Sequence, residues 1–503
     1  MHYRLIQPTV NYEGIDITTP IYDKSNPSSI EEFGQRLRGN TLRKKPGVGE
    51  ITREDLDATE GVKFKGKFGT LMEVYYDIHP GNEACSPDFK DASVELKTNA
   101  LNKIKKGFSA KERLSLGMID YHEIIYESFE TSCFMKKNKT LMLISRLYRE
   151  NGVLVDAPIK FAQLIDFSEL PPTDQEIIKE DWTSISNKIA RGQAHLLSGS
   201  DTKYLEASTK GPVGANRVSQ PNNDALARPR GFALKAGFVT SVVNRYLKGD
   251  LDFVEPDAPL AITDASEIEE KGFDAIIIER FNSFRKLNVE EIEARLDIKL
   301  NRSAKSYRAS LALAMAKLIT GSTTRKVAEF QRVGIVLKTI LIDENGLPDQ
   351  HMSFPAFRYM GDGSILTEDW DAVETDLEEE DGPQDGGDVP KFKQILEDRT
   401  FLFVVFKKEA ETQVLDNVLF WSMPQEDIEQ YVRPVWQQTF DCINTGTIDL
   451  LPKTSFNEVS HVRPHGANKA DTFPTPHNGD QTKKSFWLDK RYIQSQIAKN
   501  QGT

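Results

Sequence analysis

The sequence is poor in cysteine, has no long apolar run and carries no excess of positive charge, and each lack removes a class of protein. Its three cysteines, Cys85, Cys133 and Cys442, lie far apart with no CxxC pair, which argues against both a thiolate zinc site and a disulfide framework. All three are expected to be reduced and structural. No stretch approaches the ~20 apolar residues that a membrane-spanning helix needs, so no membrane role is expected. The first residues, MHYRLIQPTVNYEGID, show neither a basic region followed by an apolar one nor an Arg-rich, acid-poor transit composition, and the expected location is the cytoplasm. No GxxxxGK(S/T) or GxGxxG loop follows a predicted strand, so no use of ATP is expected.

A net charge of −12 argues against non-specific nucleic-acid binding, but the charge is unevenly spread. Between Lys97 and Arg113 stand six basic residues and one acidic residue, whereas DLEEEDGPQDGGD at 376–388 is almost purely acidic. With 39% hydrophobic and 28% charged residues, the composition is that of a globular protein. At 503 residues the chain is too long for one ordinary core, and two domains are expected.

What is present is a repeat. DFKDASVELKT (88–98) aligns with EFQRVGIVLKT (329–339), pairing Asp88 with Glu329, Glu95 with Val336 and Lys97 with Lys338. Two further matches follow in the same order. Trp182, Ile189 and Gly192 share their spacing with Trp436, Ile443 and Gly446, and RGFALKAGFVTSVV (230–243) pairs with KSFWLDKRYIQSQI (484–497). From Lys338 to Trp436 there are 13 more residues than from Lys97 to Trp182, close to the length of the acidic segment, which reads as a surface insertion. The polar, proline-bearing stretch around 248–266 reads as a linker. The expected division is 1–250, a linker at 251–264, and 265–503, in an α/β fold with a mixed central sheet flanked by helices in each copy.

Within ASVELKT the alternation expected of a strand puts Ser93, Glu95 and Lys97 on one face and Ala92, Val94 and Leu96 on the other. Pro87 favours an extended Ser86 and a turn that brings Asp88 beside the charged face. Two carboxylates and an ammonium then converge. Such a trio suits phosphodiester hydrolysis: carboxylate oxygens bind a hard cation such as Mg²⁺, and the lysine stabilises transition-state charge or orients water. The bland alternative is a charge pair on a solvated strand face. Upstream, KGKFGTLMEVYYDI reads as a helix with Phe68, Leu71, Met72, Tyr75 and Tyr76 on its apolar side and Glu73 as its isolated carboxylate. Downstream, Thr173 and Glu176 read as a capping box opening a helix with the stripe Ile178, Trp182, Ile185, Ile189 and a stop at Gly192.

Taken together, DFKDASVELKT, the preceding FGTLMEVYY, KERLSLGMIDY (111–121) and RPRGFALKAGFVTSVV (228–243) resemble the MutH mismatch-repair endonucleases, of the PD-(D/E)xK nuclease class. The full length, the second copy, FETSCFMKKNKTL (129–141) and the terminal HVRPH and KSFWLDKRYI strings resemble the Sau-three-A-I type restriction endonucleases. The resemblance implies cleavage of double-stranded DNA at GATC with Mg²⁺, with Asp88, Glu95 and Lys97 catalytic and Glu73 assisting the metal. It implies DNA contacts from Lys210, Arg228, Arg230 and Lys235. The MutH loop that senses adenine methylation carries a tyrosine where this chain has Ala233, which implies that such sensing is absent here.

In the second copy Val336 replaces the central glutamate, so that copy is expected to bind DNA or regulate without catalysing. A palindrome has two scissile phosphates, and one active site per chain implies a dimer on DNA or two sequential nicks. His461, His465 and His477 are not expected to form a zinc site, because VRP between the first two breaks any helix that would align them. The other readings are a methylation-directed endonuclease, a mismatch-repair nicking enzyme on the same scaffold, and a catalytically silent DNA-binding regulator.

Overall fold

The computed structural model describes residues 22–42, 67–78, 84–104, 107–148, 156–211, 216–247, 262, 264–321, 327, 330, 332–372 and 388–500. The expected linker at 251–264 lies outside these apart from Ile262 and Asp264, as do Lys105, Lys106, Glu329 and all of the acidic segment but Asp388.

The fold is mixed α/β. In the first half, helices α1 (Pro27–Gln35) and α2 (Lys67–Tyr76) lie beside a four-stranded sheet of order β2-β1-β4-β5. Here β1 is Val94–Ile104, β2 Gly107–Ala110, β4 Thr140–Leu147 and β5 Ile159–Asp166; β1 runs parallel to β4 and antiparallel to β2, and β4 is antiparallel to β5. The period of two sorts the side chains. Val94, Leu96, Met142 and Ile144 bury themselves against Ile30, Phe33, Phe68, Leu71 and Tyr76, while Leu141 and Leu143 join a larger core on the opposite face. The predicted helix with Phe68, Leu71, Met72, Tyr75 and Tyr76 inward is therefore observed as α2.

A short helix, α3 (Cys133–Asn138), leads into β4, and a second sheet of order β3-β9-β6 packs alongside, built from β3 (Leu114–Met118), β6 (Leu205–Thr209) and β9 (Arg230–Leu234). Helix α4 (Pro172–Ala190) buries Ile178, Trp182, Ile185 and Ile189 as the stripe predicts, each isoleucine contributing about 1.5–3 kcal/mol over exposure. Its start differs from the capping-box expectation. Pro171 is the N-cap, Pro172 takes the first helical position and Thr173 is buried inside the helix; proline's fixed φ and missing N–H suit that position without a side-chain cap. Gly192, at φ +71°, closes the helix. The ribbon β7 (Val218–Gln220) and β8 (Asn223–Ala227) precedes β9, and α5 (Ala236–Leu247) follows it.

Cys85 and Cys133 are joined in a disulfide, correcting the expectation of three reduced thiols; Cys442 is a buried free thiol. The sequence separation of 48 between the two partners conceals that the segment before β1 and the start of α3 lie side by side.

Four helices, α6 (Ala265–Lys271), α7 (Phe273–Asn282), α8 (Val289–Leu296) and α9 (Tyr307–Thr320), connect to the second half. There the order recurs. Strands β10 (Ile335–Ile342), β12 (Thr400–Glu409) and β13 (Thr412–Trp421) form a sheet in which β10 is parallel to β12 and β12 antiparallel to β13, as β1, β4 and β5 are. Strand β11 (Met352–Ala356) follows β10, and α10 (Lys391–Asp398) leads into β12. After α11 (Arg433–Asn444) come β14 (Ser460–Pro464), the ribbon β15 (Thr472–Pro474) and β16 (Asp480–Thr482), then β17 (Lys484–Leu488) and α12 (Lys490–Lys499). The sheet β11-β17-β14 has the order of β3-β9-β6. One continuous apolar core runs from Leu101 and Trp182 through Ile276 and Leu311 to Val404 and Val418, so the two halves are packed together rather than strung apart.

Candidate active site

A tight turn builds the site. Phe89 and Val94 pair across it, Phe89 N–H donating to Val94 O at 2.9 Å and Val94 N–H to Phe89 O at 3.2 Å. Ser93 takes the left-handed conformation at φ +54°, which costs a non-glycine residue about 1–2 kcal/mol. Ala92 and Ser93 thus belong to the turn, and the strand proper starts at Val94 rather than at Ala92. The reversal lays Asp88 back along the first residues of β1. Leu96 N–H donates to Asp88 Oδ2 at 2.9 Å, and Asp88 N–H donates to Glu95 Oε2 at 3.1 Å. Each carboxylate is fixed by the other residue's strand or turn.

Glu95 and Lys97 share the face of β1 opposite Val94 and Leu96, and both are buried. Lys97 Nζ stands 3.2 Å from Glu95 Oε1. A second ammonium, Lys137 Nζ, lies 3.5 Å from the same oxygen. Buried charges of this kind persist only when paired. Lys137 sits on α3, whose N-cap Ser132 Oγ accepts from Met135 N–H at 3.2 Å, and whose last residue, Asn138, donates to Leu116 O and Phe134 O, both at 3.0 Å. The Asn138–Leu116 bond holds α3 on β3, and Lys137 reaches Glu95 at the start of β1.

The polar face continues. Asn99 on β1 and Ser145, its partner on β4, are buried with side-chain atoms that make no hydrogen bond. Neither was anticipated, and nor was Lys137. The basic run in FMKKNKTL was visible, but placing its lysine beside Glu95 requires the parallel pairing of β1 with β4, which no local pattern reveals.

Of the remaining predicted residues, Glu73 is half-buried on α2, which packs against β1. The four predicted DNA contacts are not on an open surface. Lys210 and Lys235 are buried, their amines donating to Ser115 Oγ at 2.6 Å and Thr202 O at 2.5 Å. Arg230 donates to Leu197 O at 2.6 Å and Ala207 O at 3.1 Å. Burial lowers the proton affinities of Lys235 and Arg230. Arg228 approaches Asp371 of the second half at 3.6 Å. Arg228 and Arg230 line a cleft of about 340 Å³ between the halves, with Arg113, Asp371, Asp398 and Arg433. Arg113 bridges Glu206 at 2.7 Å and Asp398 at 3.3 Å across it.

The corresponding position in the second half has the same frame and different chemistry. Val336 faces Phe401 in the register in which Glu95 faces Leu141, and Lys338 faces Phe403 as Lys97 faces Leu143. Gly334 at φ +70° precedes Val336 by two residues, as Ser93 precedes Glu95. Lys338 Nζ donates to Ser353 O at 3.3 Å and lies 5.9 Å from the centre of the Phe354 ring. Burial lowers its proton affinity. Three residues before β12, where Lys137 stands before β4, the chain has Glu397.

Among the described residues no helix is long and apolar enough to cross a membrane. A family model described as the DNA mismatch repair enzyme MutH matches residues 76–181. The chain is 30% identical over 500 residues to the type II restriction enzyme Sau3AI of Staphylococcus aureus, an overlap covering 90% of this chain and 97% of that protein. It is 28% identical over 239 residues to the DNA mismatch repair protein MutH of Shewanella woodyi, covering 46% of this chain and 95% of that one. The MutH of Shewanella amazonensis is 25% identical over 186 residues.

Proposed function

The chain belongs to the endonuclease family of Sau3AI and MutH, and from that premise we propose that it is a type II restriction endonuclease cutting double-stranded DNA at GATC. The observation that carries this reading is the convergence of Asp88, Glu95 and Lys97 at the start of β1, in a chain similar to a restriction enzyme along nearly its whole length. The similarity to MutH covers under half of the chain, which favours a restriction enzyme over a mismatch-repair or methylation-directed one. An intact trio speaks against a silent regulator.

The donor set fits Mg²⁺. Asp88 and Glu95 present hard carboxylate oxygens next to one another, each oriented by a backbone N–H, with Glu73 as a further carboxylate on α2. When bound, Mg²⁺ supplies Lewis acidity to the scissile phosphate and to the attacking water. Lys97 holds a positive charge beside Glu95, where it stabilises the developing negative charge or orients water. Lys137 adds a second positive charge at the same carboxylate. No part of this chemistry calls for ATP.

The second half, in this reading, is a degenerate tandem copy, supported by the recurring strand order and by Val336 in the glutamate position. It acts as a non-catalytic domain that binds DNA and regulates the first, divided near residues 250 and 265. For Arg228 and Arg230 to reach DNA, the cleft against Asp371 and Asp398 has to open, and Lys210 and Lys235 have to leave their buried partners Ser115 and Thr202. Two chains, or two successive nicks, cut both strands of the palindrome.

The test is to digest plasmids with and without adenine or cytosine methylation, in Mg²⁺ and without nucleotide, and to sequence the ends. GATC at every terminus is expected, and other termini would refute the specificity. Glu95→Gln should bind the duplex without cutting it; metal-dependent binding without cutting by the natural protein would overturn the enzymatic reading. Faster cutting of two-site than one-site circles is expected if the second half engages DNA, and equal rates, unaffected by added site-bearing duplex, would remove that role.

A further inference from the structure

Three residues far apart in sequence meet in the second half, at the sheet β11-β17-β14. His351 precedes β11, His461 is the second residue of β14, and Asp489 links β17 to α12. Their ligand atoms all lie within 4.8 Å of one another. His351 Nδ1 is 3.4 Å from Asp489 Oδ2, and the rings of His351 and His461 meet edge to face at 4.8 Å. In a tetrahedral site with bonds of about 2.0–2.1 Å, neighbouring ligand atoms stand about 3.3–3.4 Å apart, so the first pair already has the spacing of one edge.

An independent observation points to an occupant. His461 is wholly buried, and neither of its ring nitrogens has a hydrogen-bond partner. A buried imidazole left without partners is costly, and an ion held with His351 and Asp489 satisfies one of the two nitrogens. Burial pushes His461 down to about 4 and lowers His351 as well. His351 and Asp489 are only half-buried, which leaves an approach from solvent. Asp489 is already oriented: its Oδ1 caps α12 by accepting from Arg491 N–H at 2.8 Å, turning Oδ2 toward His351. His351 Nδ1 also accepts a long hydrogen bond from Lys490 N–H at 3.2 Å, a contact that coordination through this nitrogen would replace.

We propose that His351, His461 and Asp489 bind a divalent transition-metal ion, with Zn²⁺ the fitting choice, separate from the Mg²⁺ at Asp88 and Glu95. Two imidazoles and one carboxylate suit a borderline-soft ion rather than Mg²⁺ or Ca²⁺, and three protein ligands leave one position for water. The ion ties the entry to β11, the middle of β14 and the N-terminus of α12 together. The other histidines near by stand elsewhere: His465 packs on the Trp487 ring and His477 Nε2 contacts Asn444 O.

The experiment uses the full chain, stripped with chelator and dialysed against Zn²⁺ in excess Mg²⁺, with metal content measured by mass spectrometry and thermal unfolding recorded. About one Zn²⁺ per chain and a raised unfolding temperature are expected, with affinity at least about tenfold weaker in His351→Gln and Asp489→Asn. Asparagine keeps the helix cap, so the second variant separates ligation from folding. Co²⁺ substitution should give tetrahedral visible absorption in the natural protein and lose it in both variants. No bound Zn²⁺ in the natural chain, or Zn²⁺ retained in both variants and lost in Glu95→Ala, would overturn the proposal.

Discussion

The entries to β1 and β10 share a few positions and are equipped differently: Phe89 and Val94 pair across a tight turn in the first, whereas Phe330 and Arg332 are helical in the second. Each places a left-handed residue, Ser93 or Gly334, two positions before the residue that matters, and each sets a lysine two positions after it. In the first half that lysine meets Glu95 and, behind it, Lys137. In the second, Lys338 meets a carbonyl and an aromatic ring. The strand pairing is thus shared without the chemistry, because the pairing depends on backbone register and burial, whereas the chemistry depends on a few polar side chains in one volume.

The largest expected effect is at the carboxylate that only the turn brings into place. Asp88→Asn should lower single-turnover cleavage by about 10³-fold or more with DNA binding retained, since it removes a metal-binding charge. A fall below tenfold would show that the first half does not owe its activity to this geometry. Next comes Lys137, which has Glu397 as its counterpart. Lys137→Ala should slow cleavage by about 10²-fold, in the range of a lost electrostatic contact at a reacting centre, with Lys137→Arg recovering part of it.

Val336→Glu sharpens the comparison from the other side. It restores the glutamate beside Lys338, yet with Glu397 in place of the second lysine it should give no cleavage in a Lys97→Ala background. It should also destabilise the second half by about 1–2 kcal/mol through partial burial of a carboxylate, measured by denaturant unfolding. The smallest effects are expected at the left-handed residues. Gly334→Ala should cost about 1–2 kcal/mol, whereas Ser93→Gly should change stability by less than about 1 kcal/mol, relief of strain being offset by a more flexible unfolded chain.

Much of this was legible in the sequence, for physical reasons that can be named. Alternation put Glu95 and Lys97 on one face of a strand, and the apolar side of α2 and the stripe of α4 followed from helical spacing. The strands' partners did not follow, because parallel pairing of β1 with β4 joins segments separated by two strands and a helix. Lys137, Asn99 and Ser145 were hidden with it, as was the disulfide between Cys85 and Cys133. The capping box failed because two prolines compete for the same turn and Pro172 wins the first helical position. The histidines near the C-terminus were correctly denied a shared helix, since His461 lies in a strand; its neighbours His351 and Asp489 come from other segments and share no local motif with it.

Single-turnover cleavage of an end-labelled GATC duplex in Mg²⁺, run side by side for Lys97→Ala and Lys338→Ala, tests most directly the claim that only the first half is hydrolytic. A loss of about 10³-fold for the first and a rate within about threefold of the natural protein for the second are predicted. Comparable losses in both would contradict it.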